Sequence, residues 1–190
     1  MINLEDKKTI YDSDCLDCFL IVKRTDILEK LFSKIIIPQN VHDEISHPKT
    51  PSNIVTEFNN LKNKKFVVVE EICLHTMPYN HYKAMIDGYW GDGSIGKGEA
   101  SAIALAIDKE GIVASNNLKD VKKIVEDNDI PLITAPIILT KALLETILSW
   151  DECCNIWYIW INTNHHLPNK TFADYFDNTY PNDIKIFYSL

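Results

Sequence analysis

Residues 99–148 read EASAIALAIDKEGIVASNNLKDVKKIVEDNDIPLITAPIILTKALLETIL, and this stretch decides the fold. Helix-like and strand-like segments alternate through it. They are, in order, a helix over 99–110, a strand over 111–115, a helix over 118–127, a strand over 130–134 and a helix over 136–148. The alanines of the first helix leave room for a sheet to approach closely. Strict alternation of this kind predicts a parallel sheet with right-handed crossovers.

The N-terminal half continues the same pattern. The segment KTIYD at 8–12 predicts a strand that runs into a helix, with Asp12 or Ser13 as its N-cap. Further elements are predicted as a helix over 26–32, a strand KIIIP that stops at Pro38, a short helix QNVHDEI, a helix over 54–61, a strand over 66–72 and a short helix over 79–87. The predicted fold class is therefore α/β: a three-layer α/β/α sandwich around a central, mainly parallel sheet of four or five strands.

Composition limits the possible classes of protein. A chain of 190 residues, 46% hydrophobic and 24% charged, is long enough for one good core. The net charge of −8 opposes non-specific attraction to nucleic acid, so any such role needs a local basic patch or a basic partner. The N-terminus lacks the apolar core of a signal peptide, and no apolar run is long enough to cross a membrane. These features favour a cytoplasmic location.

The last forty residues differ from the rest. They are rich in aromatic residues, contain several turn residues and show no clear period. We therefore expect a domain over 1–149 and an aromatic-rich C-terminal extension over 150–190 that packs on the domain or on a partner. The five cysteines include one CxxC, at Cys15 and Cys18, without a second pair or zinc-type histidine spacing, so we expect buried or inert thiols.

Three acids fall where functional groups gather in parallel sheets, beyond the carboxyl ends of the strands. Asp12 ends the first strand, Glu44 lies on the helix after the second, and Glu99 starts the helix after a glycine-rich loop. Each one alone is typical of a solvated group or a helix cap. Together they repel one another unless a cation neutralises them, and an all-oxygen site suits Mg²⁺ or Mn²⁺. Such an ion activates water for phosphodiester hydrolysis.

Five segments in order resemble the successive motifs of PIN-domain proteins: IYDSDCLDCFL, IIIPQNVHDEI, GKGEASAIALAI, VASNNLKDVKKI and PLITAPIILTKAL. They span about residues 8–146. The family is known for metal-dependent ribonucleases, including toxins of the VapC type that a partner antitoxin holds inactive. The resemblance implies that Asp12, Glu44 and Glu99 occupy three of the four acidic positions of the family. It also matches Ser13 to the small hydroxyl residue after the first acid.

The chain departs from the family pattern after the fourth strand. Where the family usually has an aspartate, this chain reads Ser115, Asn116 and Asn117. Asn116 still offers a carbonyl oxygen but removes one negative charge, and Asp120, about one helical turn further on, is able to compensate. The hypothesis is a metal-dependent endoribonuclease, of the toxin–antitoxin or a related RNA-cleaving type, with Asp12, Glu99 and Asp120 as metal ligands. The residues expected to meet the RNA are Ser13, Lys97, Lys119, Lys122 and Lys123.

Two other functions stay open. One is a catalytically weakened PIN-like scaffold that binds protein or RNA; Asn116 and the acidic net charge favour it. For either function, a homo-oligomer also stays open. The other is nucleotide binding, because Gly91–Gly98 matches G-x-x-x-x-G-K, although Gly98 stands where a P-loop has Ser or Thr. His165 and His166 are interpreted as exposed polar residues of a loop.

Overall fold

A computed structural model describes residues 4, 7–90, 93–163, 165 and 167–187. The strands are β1 (Thr9–Tyr11), β2 (Ile35–Pro38), β3 (Val67–Glu70), β4 (Ile112–Ala114) and β5 (Leu132–Ile133). The helices are α1 (Ser13–Ile21), α2 (Asp26–Leu31), α3 (Gln39–Ile45), α4 (Ser52–Asn63), α5 (Met77–Ile86), α6 (Lys97–Lys109), α7 (Leu118–Asp127), α8 (Ala135–Leu144), α9 (Trp150–Asn162), α10 (Phe172–Asp174) and α11 (Tyr180–Phe187), with a π-helical stretch at Tyr175–Thr179.

The five strands form one sheet in the order β3-β2-β1-β4-β5, and every pair is parallel. Helices cover both faces, so the predicted α/β/α sandwich is confirmed. The chain leaves β1 toward β2 and β3 on one side and reaches β4 and β5 on the other. The order therefore reverses between β1 and β4, and ligand sites of parallel sheets lie beyond the carboxyl ends of the strands at such a point.

Alternate side chains of each strand enter two separate cores, because successive residues of a strand point to opposite faces. Tyr11 and Ala114 belong to the core beneath α1, α4, α8 and α9. Ile10 and Val113 belong to the core beneath α5, α6 and α7. Both faces of the central strands are buried, which is why these strands read as short apolar runs without polar alternation.

The C-terminal segment is helical where the sequence shows no clear period. Ser149 caps α9 with a capping box: its hydroxyl accepts from the Glu152 N–H, and the Glu152 side chain accepts from the Ser149 N–H. Trp157 and Trp160 are almost fully buried in the same core as Phe19. Trp160 Nε1 donates to the carbonyl oxygen of Cys18 at 2.6 Å. The segment thus packs on the domain; the boundary at residue 149 stays a prediction.

Other features of the described residues complete the fold. Cys15, Cys18 and Cys153 are buried, whereas Cys73 is exposed. Among the helices that can be described, none is long and apolar enough to cross a membrane.

Candidate metal centre

Asp12 lies at the carboxyl end of the central strand β1, directly beside the end of β4. Its N–H donates to the Ala114 carbonyl oxygen at 3.0 Å. Its Oδ1 accepts from the Cys15 N–H at 3.0 Å, so Asp12 is the N-cap of α1, as one of the two predicted choices. The residue is 2% exposed, and its Oδ2 is buried without a hydrogen-bond partner among the described residues.

This burial changes the acidity of Asp12. The pKa of Asp12 is raised from 3.8 to about 7, mainly because burial removes water from the carboxyl group, and the negative charges of Asp14 and Glu99 contribute in the same direction. The Cys15 N–H, which donates to Oδ1, and the nearby Ser115 side chain act in the opposite direction. A buried carboxyl group with one unpartnered oxygen and acidic neighbours is a group that a bound cation would stabilise.

Glu44 reaches the same edge of the sheet from α3. Its Oε2 accepts from the Ser13 hydroxyl at 2.9 Å, which joins α3 to the first residue of α1. On its other side lies the buried Gly98 in the first turn of α6. A Cβ atom added there would lie 3.2 Å from Glu44 Oε2, so the absence of a side chain lets Glu44 approach α6 next to Glu99.

Glu99 and Asp120 are joined by an amide. Asn117 Nδ2 donates to Glu99 Oε1 at 3.1 Å and to Asp120 Oδ2 at 2.8 Å. The side chain of Glu99 also folds back over Gly96, the N-cap of α6, where a Cβ atom would collide with its carboxylate. Glu99 is therefore held at a helix N-terminus, where the helix dipole favours a negative charge.

Asn116, the residue predicted for the fourth position, faces elsewhere. Its Oδ1 accepts from the Ala135 N–H at 2.9 Å, at the start of α8. Its Nδ2 lies 3.3 Å from the Asp14 carbonyl oxygen and 3.3 Å from Cys18 Sγ. An aspartate cannot donate to that carbonyl oxygen, which gives a structural reason for an amide here. The amide that faces the acids is Asn117, which the sequence reasoning did not select.

The predicted lysines lie on two helices, α6 and α7. Lys97 and Lys119 are exposed in the first turns of α6 and α7. Lys122 lies 3.8 Å from Glu126 on the same helix, and Lys123 is exposed beside it. In sequence, Lys97 precedes Glu99 by two residues and Lys119 precedes Asp120 by one.

Sequence reasoning also missed Asp17, one turn after Asp14 on α1. The pKa of Asp17 is raised to about 7, mainly by burial and to a smaller extent by the charges of Asp14 and Glu44. Its Oδ1 is buried without a partner among the described residues. The spacing of Asp14 and Asp17 on one face of α1 is the signal that was available, since residues i and i+3 of a helix are neighbours.

His165 is not an exposed polar residue, so that prediction is wrong. The ring is half-buried because it lies against α1: its Nδ1 is 3.7 Å from Cys18 Sγ. Burial lowers the pKa of His165. Burial also raises the pKa of the Cys18 thiol, so this pair does not supply a thiolate nucleophile. His166 lies outside the described residues.

The acids lie near the same edge of the sheet, but their side chains are not arranged around a common metal position. Within the described parts of the chain, no three His, Cys, Asp or Glu side chains are arranged as a group that could hold a metal ion. Glu44 and Glu99 are instead hydrogen-bonded to the neutral donors Ser13 and Asn117. The donor set is all-oxygen, which suits Mg²⁺ or Mn²⁺, and the unpartnered Oδ2 of Asp12 fits a cation.

The glycine loop does not have the surroundings of a P-loop. Residues 91 and 92 lie outside the described residues, and the element before the loop is the helix α5, whereas a P-loop follows a strand. Gly98, in the position of the P-loop Ser or Thr, is buried against Glu44. These contacts argue against the nucleotide-binding alternative.

A cavity of about 670 Å³ opens beside the acids, beyond the ends of β4 and β5. It is lined by residues from the starts of α1, α7 and α8 and by residues of the C-terminal segment. The lining residues are Asp14, Asn116, Asn117, Leu118, Lys119, Thr134, Pro136, His165, Leu167, Pro168, Thr179 and Asp183.

A family model described as a PIN domain matches residues 8–173. The match covers all five strands and continues into the C-terminal segment through α9. No curated protein matches the chain.

Proposed function

This chain belongs to the PIN-domain family, and from that premise we propose that it is a metal-dependent endoribonuclease. The proposed cofactor is Mg²⁺ or Mn²⁺, the proposed substrate is RNA, and the proposed location is the cytoplasm. We assign Asp12, Glu99 and Asp120 to the cation, and Glu44 to its orientation or that of the attacking water. These assignments rest on the position of the four acids around the carboxyl end of β1.

One observation carries the proposal: the buried carboxyl group of Asp12. It lies at the point where the strand order reverses, one of its oxygens has no partner among the described residues, and its pKa is raised to about 7 by burial. A purely structural cap would need only one oxygen, which Cys15 already uses. A cation at this point would remove the cost of ionising Asp12 at neutral pH.

Different residues have different roles in the proposed reaction. When bound, a divalent cation lowers the pKa of water and stabilises charge on a phosphate. Ser13 and Asn117 hold Glu44 and Glu99 at hydrogen-bond distance and so limit their movement. The helices α1, α7 and α8 begin at this edge, and the positive ends of their helix dipoles favour the approach of a phosphate. Lys97 and Lys119 supply positive charge beside the acids.

The test is cleavage of a mixed RNA pool by the purified chain with Mn²⁺ and with EDTA. Asp12→Asn is the active-site variant. Asp108→Asn is the matched control, because Asp108 is exposed near the far end of α6. We expect metal-dependent cleavage by the wild type and by Asp108→Asn, and none by Asp12→Asn. Equal cleavage by all three proteins would point to a contaminating nuclease and contradict the proposal.

A second candidate function is a PIN-like scaffold that binds RNA or protein without cutting. Asn116 favours it, because its carbonyl oxygen is engaged by α8 where the family usually has an acid. The discriminating result is binding without cleavage: folded wild type that retains RNA in Mn²⁺ and leaves it intact supports the scaffold.

We extend the proposal to a toxin of a toxin–antitoxin pair, which rests on the family. The expected result is that production of the intact chain in a bacterial host arrests growth, whereas production of Asp12→Asn does not. Arrest by both proteins to the same extent would contradict a toxin that acts through this site.

A further inference from the structure

The cavity beside the acids has the chemistry of a site for a flat, polar ligand. Its volume of about 670 Å³ falls within the range of about 300–1,000 Å³ that is usual for small-molecule pockets. Four side chains give it apolar walls: Leu118, Pro136, Leu167 and Pro168. His165 adds an aromatic ring, and unpaired bases of RNA stack on such rings. The Nε2 atom of this ring is buried without a hydrogen-bond partner among the described residues.

Asp183, from the C-terminal segment, supplies an oriented acceptor to the lining of the cavity. Its Oδ2 accepts from the Tyr175 hydroxyl at 3.0 Å, and the side chain is partly buried. Each carboxylate oxygen has two lone pairs, so the group retains capacity for further donors after the Tyr175 bond is made. Asp183 is thus fixed in direction and still able to accept hydrogen bonds from a ligand.

We propose that this cavity binds one unpaired nucleobase of the RNA and that Asp183 selects guanine. The proposal rests on the endoribonuclease function for the identity of the polymer. Guanine is the only common RNA base with two adjacent donors, N1–H and the N2 amino group, which match the two oxygens of a carboxylate. Uracil presents a single N–H between two carbonyl oxygens, and a carboxylate repels those oxygens.

The position of the cavity fits a base next to the cleaved bond. Asp14, Asn116 and Asn117 line it at one end, and Asn117 donates to Glu99 and Asp120. Lys119 lies on the same wall in the first turn of α7, where it would meet a backbone phosphate. A base in the cavity would therefore set the register of the chain across the acids.

The test measures binding in EDTA, where no cleavage occurs, by fluorescence anisotropy with two labelled pentanucleotides. One is UUUUU and the other is UUGUU. We expect the wild type to bind UUGUU about tenfold to 100-fold more tightly, which is the discrimination expected of one bidentate pair. Asp183→Asn should lose this preference, because an amide presents one donor and one acceptor.

Controls separate the possible causes. Asp177→Asn, an exposed acid of the same segment, should keep the preference. Tyr175→Phe leaves Asp183 in place and removes its orienting donor, so it should weaken the preference if Asp183→Asn does not fold. Equal affinity of the wild type for both pentanucleotides, or an undiminished preference in folded Asp183→Asn, overturns the proposal.

Two further measurements distinguish RNA from a free nucleotide as the ligand, and the guanine site from the nuclease function. Free guanosine 5′-monophosphate should bind more weakly than UUGUU; equal affinity would overturn the assignment to RNA. Asp12→Asn should keep the guanine preference while losing cleavage. If the wild type prefers UUGUU but does not cleave RNA, the nuclease function is contradicted and the guanine site is supported. If the wild type cleaves RNA but shows no preference for UUGUU, the nuclease function is supported and the guanine site is contradicted.

Discussion

Asp12→Asn should remove a pH-dependent loss of stability from the metal-free protein. The folded pKa of Asp12 is raised from 3.8 to about 7, mainly by burial. Between these values the unfolded chain is ionised while the folded chain keeps its proton, so the free energy of unfolding falls as pH rises. A difference of about 3 pKa units corresponds to about 4 kcal/mol, reached above the folded pKa and absent below the unfolded one.

The substitution also changes the free energy of unfolding by an amount that does not depend on pH, and a comparison of two pH values cancels this amount. Asparagine keeps the cap on Cys15, since Asn and Asp are equivalent N-caps. Its amino group takes the place of the unpartnered Oδ2, at a cost of about 1–3 kcal/mol at every pH. The quantity to measure is therefore the stability of Asp12→Asn minus that of the wild type, compared at about pH 4 and about pH 8.

Urea unfolding in EDTA provides this comparison. The stability difference should move in favour of the variant by about 4 kcal/mol between the two pH values, or by about 8–16 °C in Tm at the usual 2–4 °C per kcal/mol for a chain of this size. Asp108→Asn should follow the wild type. A difference that changes by less than about 1 kcal/mol would refute the reasoning. Saturating Mn²⁺ at the higher pH should raise the Tm of the wild type but not of Asp12→Asn.

Three further predictions concern other parts of the chain. Gly98→Ala should raise the Mn²⁺ concentration needed for half-maximal cleavage, because its methyl group displaces Glu44, and an unchanged Mn²⁺ midpoint would contradict this. Urea unfolding should show no loss of stability, because alanine has a higher helix propensity than glycine in the first turn of α6. Trp160→Phe should cost about 1–3 kcal/mol in urea unfolding, because the Cys18 carbonyl oxygen loses its donor in a buried place, and no loss would show that the segment is not docked in solution. Lys97→Ala should lower RNA cleavage modestly, whereas loss of ATP binding in that variant would support the P-loop alternative.

The order of elements could be predicted from the sequence because each one carries a local signal. Strands such as IIIP are short apolar runs between turn residues, and α7 has apolar residues at helical spacing. Bounds differ by a few residues: α4 was predicted over 54–61 and extends over Ser52–Asn63. The sequence did not predict α9, because apolar residues occur on both its exposed and its buried face. The helical spacing of the buried Trp157 and Trp160 is therefore not visible as a period.

Some residues of the candidate site could likewise be predicted from the sequence, and others could not. Asp12, Glu44 and Glu99 could be selected because strand ends and helix starts are local features, and parallel strands bring their carboxyl ends to one edge. The choice between Asn116 and Asn117 could not be made locally, since neighbouring residues after a strand point in different directions. Asp17 and His165 acquire their surroundings from α3, α9 and α1, which lie far apart in the sequence.

The sequence by itself determined the fold class, the family and the three acids, because periodicity, turn residues and ordered motifs are properties of short segments. Only the tertiary structure decided which side chains meet. It gave Asn117 the contact with Glu99 and Asp120, left Oδ2 of Asp12 unpartnered among the described residues, and brought Asp14 and Asp183 into the lining of one cavity. Contacts of this kind depend on the packing of distant segments, and burial, which sets the pKa of Asp12, is a property of that packing alone.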